Sequence, residues 1–176
     1  IDELVAVLNK LTKVEKAPGA VFIEGRRLEP FEVEIRADVS SQYISGLMYL
    51  AAVTGGGVVR PVGARKSWSF VEATAEVLRT FGAEVRLGET VEVRGGLRSP
   101  GEVEVPGDFS LAAFLMVAAA ATGGRVEIRG RIADVDKPAL EILRKMGADV
   151  VEKEGAVEVG GAFTRGVDVS LGGNPD

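Results

Sequence analysis

Three polar side chains, Ser40, Ser41 and Gln42, follow an alternating strand pattern and precede a long apolar segment. They therefore lie where a helix begins, and the free N–H groups and dipole of a helix N-terminus favour an anion. The two hydroxyls can turn toward phosphate oxygens, and the Gln42 amide can both donate and accept. Simple capping of the helix by Asp38 or Ser40 explains the same pattern equally well.

A second polar cluster, residues 65–70, also opens a predicted helix. Arg65 and Lys66 supply two cations, and Ser67 and Ser69 supply two hydroxyls, a combination that suits a phosphate group. A solvated loop with Ser67 or Ser69 as the N-cap is at least as good an interpretation.

The motif around Asp38 returns in altered form at residues 107–112, Gly-Asp-Phe-Ser-Leu-Ala. Leu and Ala replace the second serine and the glutamine there, so we predict that Asp108 and Ser110 only cap their helix. The apolar run from Phe109 to Ala121 is predicted to be a buried helix, since a bilayer span needs about 20 residues. Asp176, which follows Pro175, is typical of a turn or cap unless it points into a cleft.

Two repeated units contain these motifs, Glu32–Gly96 and Glu102–Gly161, each with the order β-α-β-α-β-β. In each unit an alternating strand leads into the polar turn and the apolar helix. The remaining expected elements are strands at 58–62, 84–87, 90–94, 126–129, 149–152 and 156–159, and second helices ending near 83 and 148. Each end of the chain adds part of another unit: a helix face of Leu4, Leu8 and Leu11 with a strand at 20–24, and the segment 167–170. The Leu97–Gly101 link, with its adjacent Pro and Gly, is the predicted hinge.

Composition narrows the possible classes of protein. The chain has 176 residues, 46% of them apolar, and a net charge of −5, which is typical of a globular protein and argues against nucleic-acid and membrane surfaces. It has no cysteine and no histidine, so acid–base chemistry must depend on carboxylates, Lys or Tyr. A cytoplasmic location is expected from the lack of cysteine. Its first and last residues, Ile1 and Asp176, lead us to expect a piece of a longer protein.

The sequence resembles the 3-phosphoshikimate 1-carboxyvinyltransferase (5-enolpyruvylshikimate-3-phosphate synthase) family. The matching stretches occur in family order and spacing across essentially the whole chain: residues 39–42, the helix start at Ser67, 99–101, 107–110, 145–148 and 175–176. The resemblance implies an α/β fold of repeated β-α-β-α-β-β units, the inside-out α/β barrel of enolpyruvyl transferases. It implies that residues 1–97 end a first domain and residues 98–176 begin a second.

The resemblance also implies an activity, transfer of the enolpyruvyl group of phosphoenolpyruvate to the 5-hydroxyl of shikimate 3-phosphate, without metal or organic cofactor. In the family, residues matching Ser40, Ser41 and Ser67 hold the 3-phosphate. The residue matching Gln42 lies between the two substrates, and the residue matching Asp176 accepts the hydroxyl proton. Phe70 stands where the family usually has a substrate-contacting tyrosine, and Ser-Trp-Ser at 67–69 replaces a more typical Ser-basic-Pro.

By the same resemblance, the main phosphoenolpyruvate-binding Lys and Arg residues lie outside this chain. We therefore expect the chain to need the remainder of the enzyme for activity and to bind shikimate 3-phosphate weakly at best. Two alternatives remain: a relative of the UDP-N-acetylglucosamine 1-carboxyvinyltransferases, which lack Ser-Ser-Gln at this place, and a non-catalytic repeat scaffold.

Overall fold

Helices and strands alternate along residues 1–170, the part of the chain that the computed structural model describes. The helices are α1 (Asp2–Leu8), α2 (Ser41–Val53), α3 (Trp68–Thr80), α4 (Phe109–Thr122) and α5 (Lys137–Met146), with a 3₁₀ turn at Asp134–Asp136. The strands are β1 (Val14–Ala17), β2 (Ala20–Ile23), β3 (Phe31–Arg36), β4 (Gly56–Val62), β5 (Glu84–Leu87), β6 (Val91–Arg94), β7 (Arg125–Arg129), β8 (Asp149–Lys153) and β9 (Ala156–Gly160). The chain divides into two compact units after Glu102, near the predicted domain boundary.

In the first unit, four strands form a sheet in the order β3-β4-β6-β5. β3 and β4 are parallel, from Phe31 opposite Gly57 to Arg36 opposite Val62, and β6 is antiparallel to both of its neighbours. Because parallel strands share the edge at which they end, the two helices that follow them, α2 and α3, begin at that same edge.

The core of the first unit lies between this sheet and the helices α2 and α3. The alternation Glu-Val-Glu-Ile in β3 places Val33 and Ile35 inward, with 3% and 1% of their surface exposed, while the glutamates face solvent. Ile44 and Leu47 of α2 and Leu78 of α3 complete the packing. The fold therefore fixes the helix starts through a well-packed apolar layer.

The opening residues add a helix and a hairpin to the first unit. Val7 of α1 is buried in the core, and the β1–β2 hairpin pairs Val14 with Ile23. The Asn9 side chain both donates to the Val14 carbonyl and accepts from its N–H, at 2.9 Å each, and so fixes the turn into the hairpin. α1 ends at Leu8, so Leu11 packs on the core from a turn, not from the helix as predicted.

The second unit has a three-stranded antiparallel sheet in the order β7-β9-β8. Its core is smaller and joins Phe109 and Met116 of α4, Leu140 and Leu143 of α5, and Val159 of β9. Gly147, at a φ of 102°, ends α5 in the left-handed conformation that favours glycine.

The predicted strand at residues 102–105 is wrong. The sequence Glu-Val-Glu-Val there forms no strand, and the side chain of Val105 is 83% exposed. β3, the corresponding strand of the first unit, is paired along its whole length with β4. Among the described residues, 102–105 pair with no strand, and the isolated bridge between Gly107 and Ile132 lies beyond them. Alternation sets which face a strand would bury, but a strand also needs a partner for its backbone.

The prediction that the helix at 109–121 is buried is also wrong. α4 is apolar on all sides, yet Phe109, Met116 and Ala120 are its buried residues. Leu111, Phe114, Leu115 and Val117 are exposed, because the second unit covers one face of the helix and not the others. Among residues 1–170, no helix has the length and apolar character needed to cross a membrane.

Candidate functional site

Two polar segments of the first unit, residues 37–42 and 63–67, lie side by side at the edge where β3 and β4 end. The backbone N–H of Ala37 donates to the Val62 carbonyl at 2.8 Å, and that of Lys66 donates to the Ala37 carbonyl at 3.4 Å. The starts of α2 and α3 are therefore neighbours. This arrangement brings together the two phosphate-binding candidates that the sequence identified separately.

Ser40 is the N-cap of α2 and has the extended backbone that a cap requires, with φ −164° and ψ 128°. Its Oγ accepts a hydrogen bond from the Gln42 N–H at 3.3 Å. A hydroxyl that accepts one bond can still donate its proton to another acceptor. Capping and anion binding are therefore compatible at Ser40. Ser41 lies on the inner side of the helix at 6% exposure, whereas Gln42 is exposed.

Asp38, the other predicted cap of α2, has a different role. Its carboxylate accepts two hydrogen bonds from Arg36, Nε to Oδ1 at 3.0 Å and Nη2 to Oδ2 at 2.8 Å. The bonds from Arg36 lower the pKa of Asp38, and the charges of Arg36 and Lys66 lower it further, against a partial desolvation. Asp38 is therefore an anion at neutral pH that is already paired, and it does not cap the helix.

Ser67, the N-cap of α3, adopts the left-handed conformation, with φ 50° and ψ 39°. It is the single non-glycine residue with a positive φ among residues 1–170. Such a conformation costs about 1–3 kcal/mol and persists when surrounding contacts enforce it. The Ser67 side chain makes no capping hydrogen bond. Ser67 is therefore held in a strained conformation although its hydroxyl does not cap the helix.

Arg65 and Lys66, the two cations beside Ser67, have separate roles. The Nη2 of Arg65 donates to the carbonyls of Gly88 and Glu89, at 2.6 and 3.1 Å. Its guanidinium also lies 4.3 Å from the centroid of the Trp68 ring, a cation–π distance. Arg65 is therefore engaged by the protein. Lys66 is exposed and, within the described residues, its ammonium forms no ion pair, so Lys66 is the cation that remains for an anion.

Phe70 lies in the first turn of α3 and is half-buried. Its N–H donates to the Ser67 carbonyl at 3.2 Å. The Thr74 hydroxyl lies 2.7 Å from the Phe70 carbonyl and 2.9 Å from the Ser45 hydroxyl of α2, so it links the two helices just below the polar residues. The phenyl ring brings an apolar surface and no hydrogen-bonding group to this site.

The second unit contains the altered copy of the motif, and there the prediction of a capping role is confirmed for Asp108. Its Oδ1 accepts from the Leu111 N–H at 2.8 Å. Ser110 does not cap α4 but donates to Asp136 at 2.7 Å, next to the start of α5. The helix therefore begins one residue after its Asp in the second unit, whereas α2 begins three residues after Asp38. Because α2 begins later relative to its Asp, Ser40 and Ser41 lie at the start of that helix.

A groove of about 640 Å³ lies in the second unit between α4, α5 and residues 168–170. Its walls are mostly apolar, with Phe114, Val117 and Ile142, and its polar groups include Ser110 and Lys145. None of the predicted site residues that the structure describes lines it. Asp176, the predicted proton acceptor, lies outside the described residues. Within those residues, no group of three or more carboxylates is placed to hold a metal ion.

The sequence predicts Ser40, Ser41, Gln42, Ser67 and Phe70 as site residues, but it does not predict the contacts of Arg65. The backbone strain at Ser67 was not predictable either, because serine has no preference for a positive φ. The signal for Arg65 was Trp68, three positions later in the chain, since arginine stacks on aromatic rings. Its bonds to residues 88 and 89 join parts of the chain more than twenty positions apart, which no local pattern could indicate.

Comparison with known proteins gives one consistent result. The model of the family described as "EPSP synthase (3-phosphoshikimate 1-carboxyvinyltransferase)" matches residues 1–176. Proteins named 3-phosphoshikimate 1-carboxyvinyltransferase are similar to the chain: that of Methanopyrus kandleri is 38% identical over 96% of the chain and 40% of its own length, and that of Korarchaeum cryptofilum 36% identical over 89% and 38%. The chain thus spans about two fifths of the length of these relatives.

Solved structures give the same result for the fold. An EPSP synthase from Acinetobacter baumannii matches 92% of this chain and 39% of its own, with a TM-score of 0.69 and 25% identity. The enolpyruvyl transferase NikO from Streptomyces tendae matches 93% of this chain and 42% of its own, with a TM-score of 0.69 and 20% identity, a likeness of fold alone. The predicted fold class, repeated α/β units of the enolpyruvyl transferase type, is confirmed.

Proposed function

The chain belongs to the EPSP synthase family, and from that premise we propose that it forms part of a transferase acting on shikimate 3-phosphate and phosphoenolpyruvate. In this reaction the 5-hydroxyl of shikimate 3-phosphate adds to C2 of phosphoenolpyruvate while C3 gains a proton. Elimination then breaks the C2–O bond to phosphate and removes a proton from C3, giving the enolpyruvyl ether and inorganic phosphate. No organic cofactor or metal enters this proposal.

The observation that carries the proposal is the pairing of two helix starts at one sheet edge, with serine hydroxyls at both. Ser40 and Ser41 open α2, and the strained Ser67 opens α3 beside them. N–H groups at a helix start and hydroxyl donors are the groups that bind a phosphate dianion. We assign the 3-phosphate of shikimate 3-phosphate to this place, with Lys66 as a nearby cation.

The other predicted residues complete this assignment. Gln42 is exposed one residue beyond Ser41, where its amide can reach a second group of the substrates. Phe70 offers an apolar contact in place of the hydroxyl that a tyrosine would supply. Asp176 is proposed as the acceptor of the 5-hydroxyl proton, a role for which a carboxylate suffices when a closed cleft adjusts its pKa.

Partners and location follow from the same proposal. Phosphoenolpyruvate binding depends on basic residues outside this chain, so the remainder of the enzyme is the chain's essential partner. No nucleic acid and no membrane takes part, and the proposed location is the cytoplasm. The isolated chain should therefore bind shikimate 3-phosphate weakly and show no turnover. Calorimetric titration of the chain with each substrate measures this, and tight binding of both substrates or measurable turnover would contradict it.

The decisive experiment uses the full-length parent enzyme and measures phosphate released from phosphoenolpyruvate with shikimate 3-phosphate as acceptor. Ser67→Ala should raise KM for shikimate 3-phosphate about 10- to 100-fold, because a hydrogen bond to a charged group contributes about 1.5–3 kcal/mol. Ser110→Ala, at the position of the second unit that corresponds to Ser40, should leave KM unchanged.

Two outcomes would refute the proposed activity. Release of phosphate with UDP-N-acetylglucosamine but not with shikimate 3-phosphate would favour the sister transferases. No release with either acceptor, from a folded parent enzyme, would favour a non-catalytic scaffold.

A further inference from the structure

We propose that Arg65 is a positioning residue that holds Ser67 in its left-handed conformation and so aims the Ser67 hydroxyl at the substrate phosphate. The aim of the hydroxyl depends on the proposed function, whereas the hold on the backbone does not. Arg65 is not proposed to touch the phosphate itself, although it is a cation only two residues from Ser67.

The first support is that Ser67 needs an external constraint. A serine at φ 50° is strained, and its side chain makes no capping bond that could compensate. The constraint must come from the residues on either side of it. Those residues are all attached to other parts of the first unit.

On one side, Arg65 attaches the loop to the turn between β5 and β6. Its Nη2 donates to both the Gly88 and the Glu89 carbonyls. That turn has its own closing bond, from the Gly88 N–H to the Thr90 carbonyl at 3.0 Å, so it offers the guanidinium a defined pair of acceptors. Both bonds come from one nitrogen, and the same planar guanidinium also lies over the Trp68 ring. An ammonium group cannot combine these bonds with planar stacking.

On the other side, the same guanidinium stacks on Trp68, the residue directly after Ser67. Between them, the Lys66 N–H donates to the Ala37 carbonyl. Residues 65, 66 and 68 are therefore each fixed, and Ser67 is the residue whose dihedral angles must accommodate these contacts. Arg65 contributes to two of the three contacts, which makes it the central group of this arrangement.

The engaged guanidinium also explains why two cations stand together here. Both side chains are exposed, but the Arg65 guanidinium is occupied by two carbonyls and a ring, whereas the Lys66 ammonium forms no ion pair among the described residues. Loss of Arg65 should therefore disturb the substrate phosphate through geometry and not through the loss of a charge.

The kinetic test uses the full-length parent enzyme with Arg65→Gln, Arg65→Lys and a matched control, Arg79→Gln. Arg79 also donates from its guanidinium to a backbone carbonyl of the first unit, that of Val85 at 2.8 Å, but far along the chain from Ser67. We expect Arg65→Gln to raise KM for shikimate 3-phosphate about tenfold, with KM for phosphoenolpyruvate changed less than about twofold. Arg65→Lys should also raise KM for shikimate 3-phosphate, although it keeps the positive charge. Arg79→Gln should leave both KM values unchanged.

Two kinetic results would overturn the proposal. Full recovery by Arg65→Lys would mean that the charge alone matters, as in a direct phosphate contact. Equal effects of Arg65→Gln and Arg79→Gln on shikimate 3-phosphate would mean that Arg65 acts through general stability.

A second test needs no activity and uses the 176-residue chain in urea unfolding. Glycine adopts a positive φ freely, so Ser67→Gly removes the strain that Arg65 holds in place. Loss of Arg65 in the native background also lets Ser67 relax, and the released strain offsets part of the lost contacts. Arg65→Gln should therefore lower the free energy of unfolding less in the native background than in the Ser67→Gly background, by a factor of about five in the equilibrium constant. Equal effects in the two backgrounds would refute the clamp. A positive result here with no shikimate 3-phosphate turnover would refute the proposed function alone.

Discussion

The two copies of the Asp-x-Ser motif use different residues for the same structural task. Asp108 caps α4, whereas Ser40 caps α2 and Asp38 pairs with Arg36. The motif itself was visible in the sequence, and so was the loss of polar residues in its second copy. Which oxygen caps the helix was not visible, because Asp and Ser are both preferred caps and lie two positions apart.

The two caps can be compared by substitution. Ser40→Ala and Asp108→Ala should each lower the free energy of unfolding of their own unit by about 1 kcal/mol, because each removes a bond to a helix N–H. Urea titrations followed by circular dichroism measure this change. Gln42→Ala is the control, since it lies in the same turn of α2 and its side chain caps nothing. A loss of stability from Gln42→Ala equal to that from Ser40→Ala would contradict the assignment.

Asp38 gives a prediction for pH. Its pKa is lower in the folded chain, mainly through the hydrogen bonds from Arg36. A lowered carboxyl pKa contributes stability at neutral pH that is lost as the pH falls from about 4 through the lowered value. Asp38→Asn should thus be less stable than the native chain at pH 7, and the difference should shrink as the solution is acidified below pH 4.

The same ion pair can be tested directly. NMR titration of the Asp38 carboxyl should show a pKa that moves back toward the ordinary value of aspartate in Arg36→Gln. An unchanged pKa in that variant would show that Arg36 is not the cause.

Most elements were predictable from local patterns. In the first unit the predicted strands at 58–62, 84–87 and 90–94 agree with β4, β5 and β6 within two residues. Alternating apolar and polar residues indicate strands, and glycines indicate helix ends. Both patterns were readable because they depend only on residues that are close in the chain. The strand predicted at 102–105 does not form, because that segment has no strand partner among the described residues.

Gly95, directly after β6, lies in close contact with the backbone around the end of α2. A side chain at Gly95 would place its Cβ 2.9 Å from the Gly55 Cα and 3.1 Å from the Ala52 carbonyl oxygen. Gly95→Ala should therefore destabilise the first unit by about 1–3 kcal/mol, since both neighbours are backbone atoms. Gly46→Ala is the matched control: it lies in α2 with open space around its Cβ, and it should stabilise the helix by about 0.5–1 kcal/mol. Chemical denaturation measures the change in the free energy of unfolding of each variant, and we expect the two changes to have opposite signs.

At the scale of the whole molecule, each unit has a core of its own. Ile44 belongs to the core of the first unit, and Leu140 to that of the second. The division lies near the predicted boundary between residues 97 and 98, and the identification of the units with two enzyme domains stays a prediction.

Separate cores predict separate responses to core substitutions. Ile44→Ala should destabilise the first unit by about 2–5 kcal/mol and lower amide protection in β3 and β4. Protection in β7 and β9 should remain. Leu140→Ala should give the reverse pattern. Hydrogen exchange followed by NMR measures both, and a loss of protection in all four strands from either variant would show that the units unfold together.

By itself, the sequence determined the family, the repeated units, most helices and strands, and the serines that stand at helix starts. These features depend on residue types at short spacing, where periodicity, caps and turns act locally. Only the tertiary structure decided that α2 and α3 begin side by side, that Ser67 takes a left-handed conformation, and that Arg65 is bound to a turn more than twenty residues away. The physical reason is that these features come from contacts between segments brought together by the pairing of β4 with β3 on one side and with β6 on the other, and no local pattern carries that information.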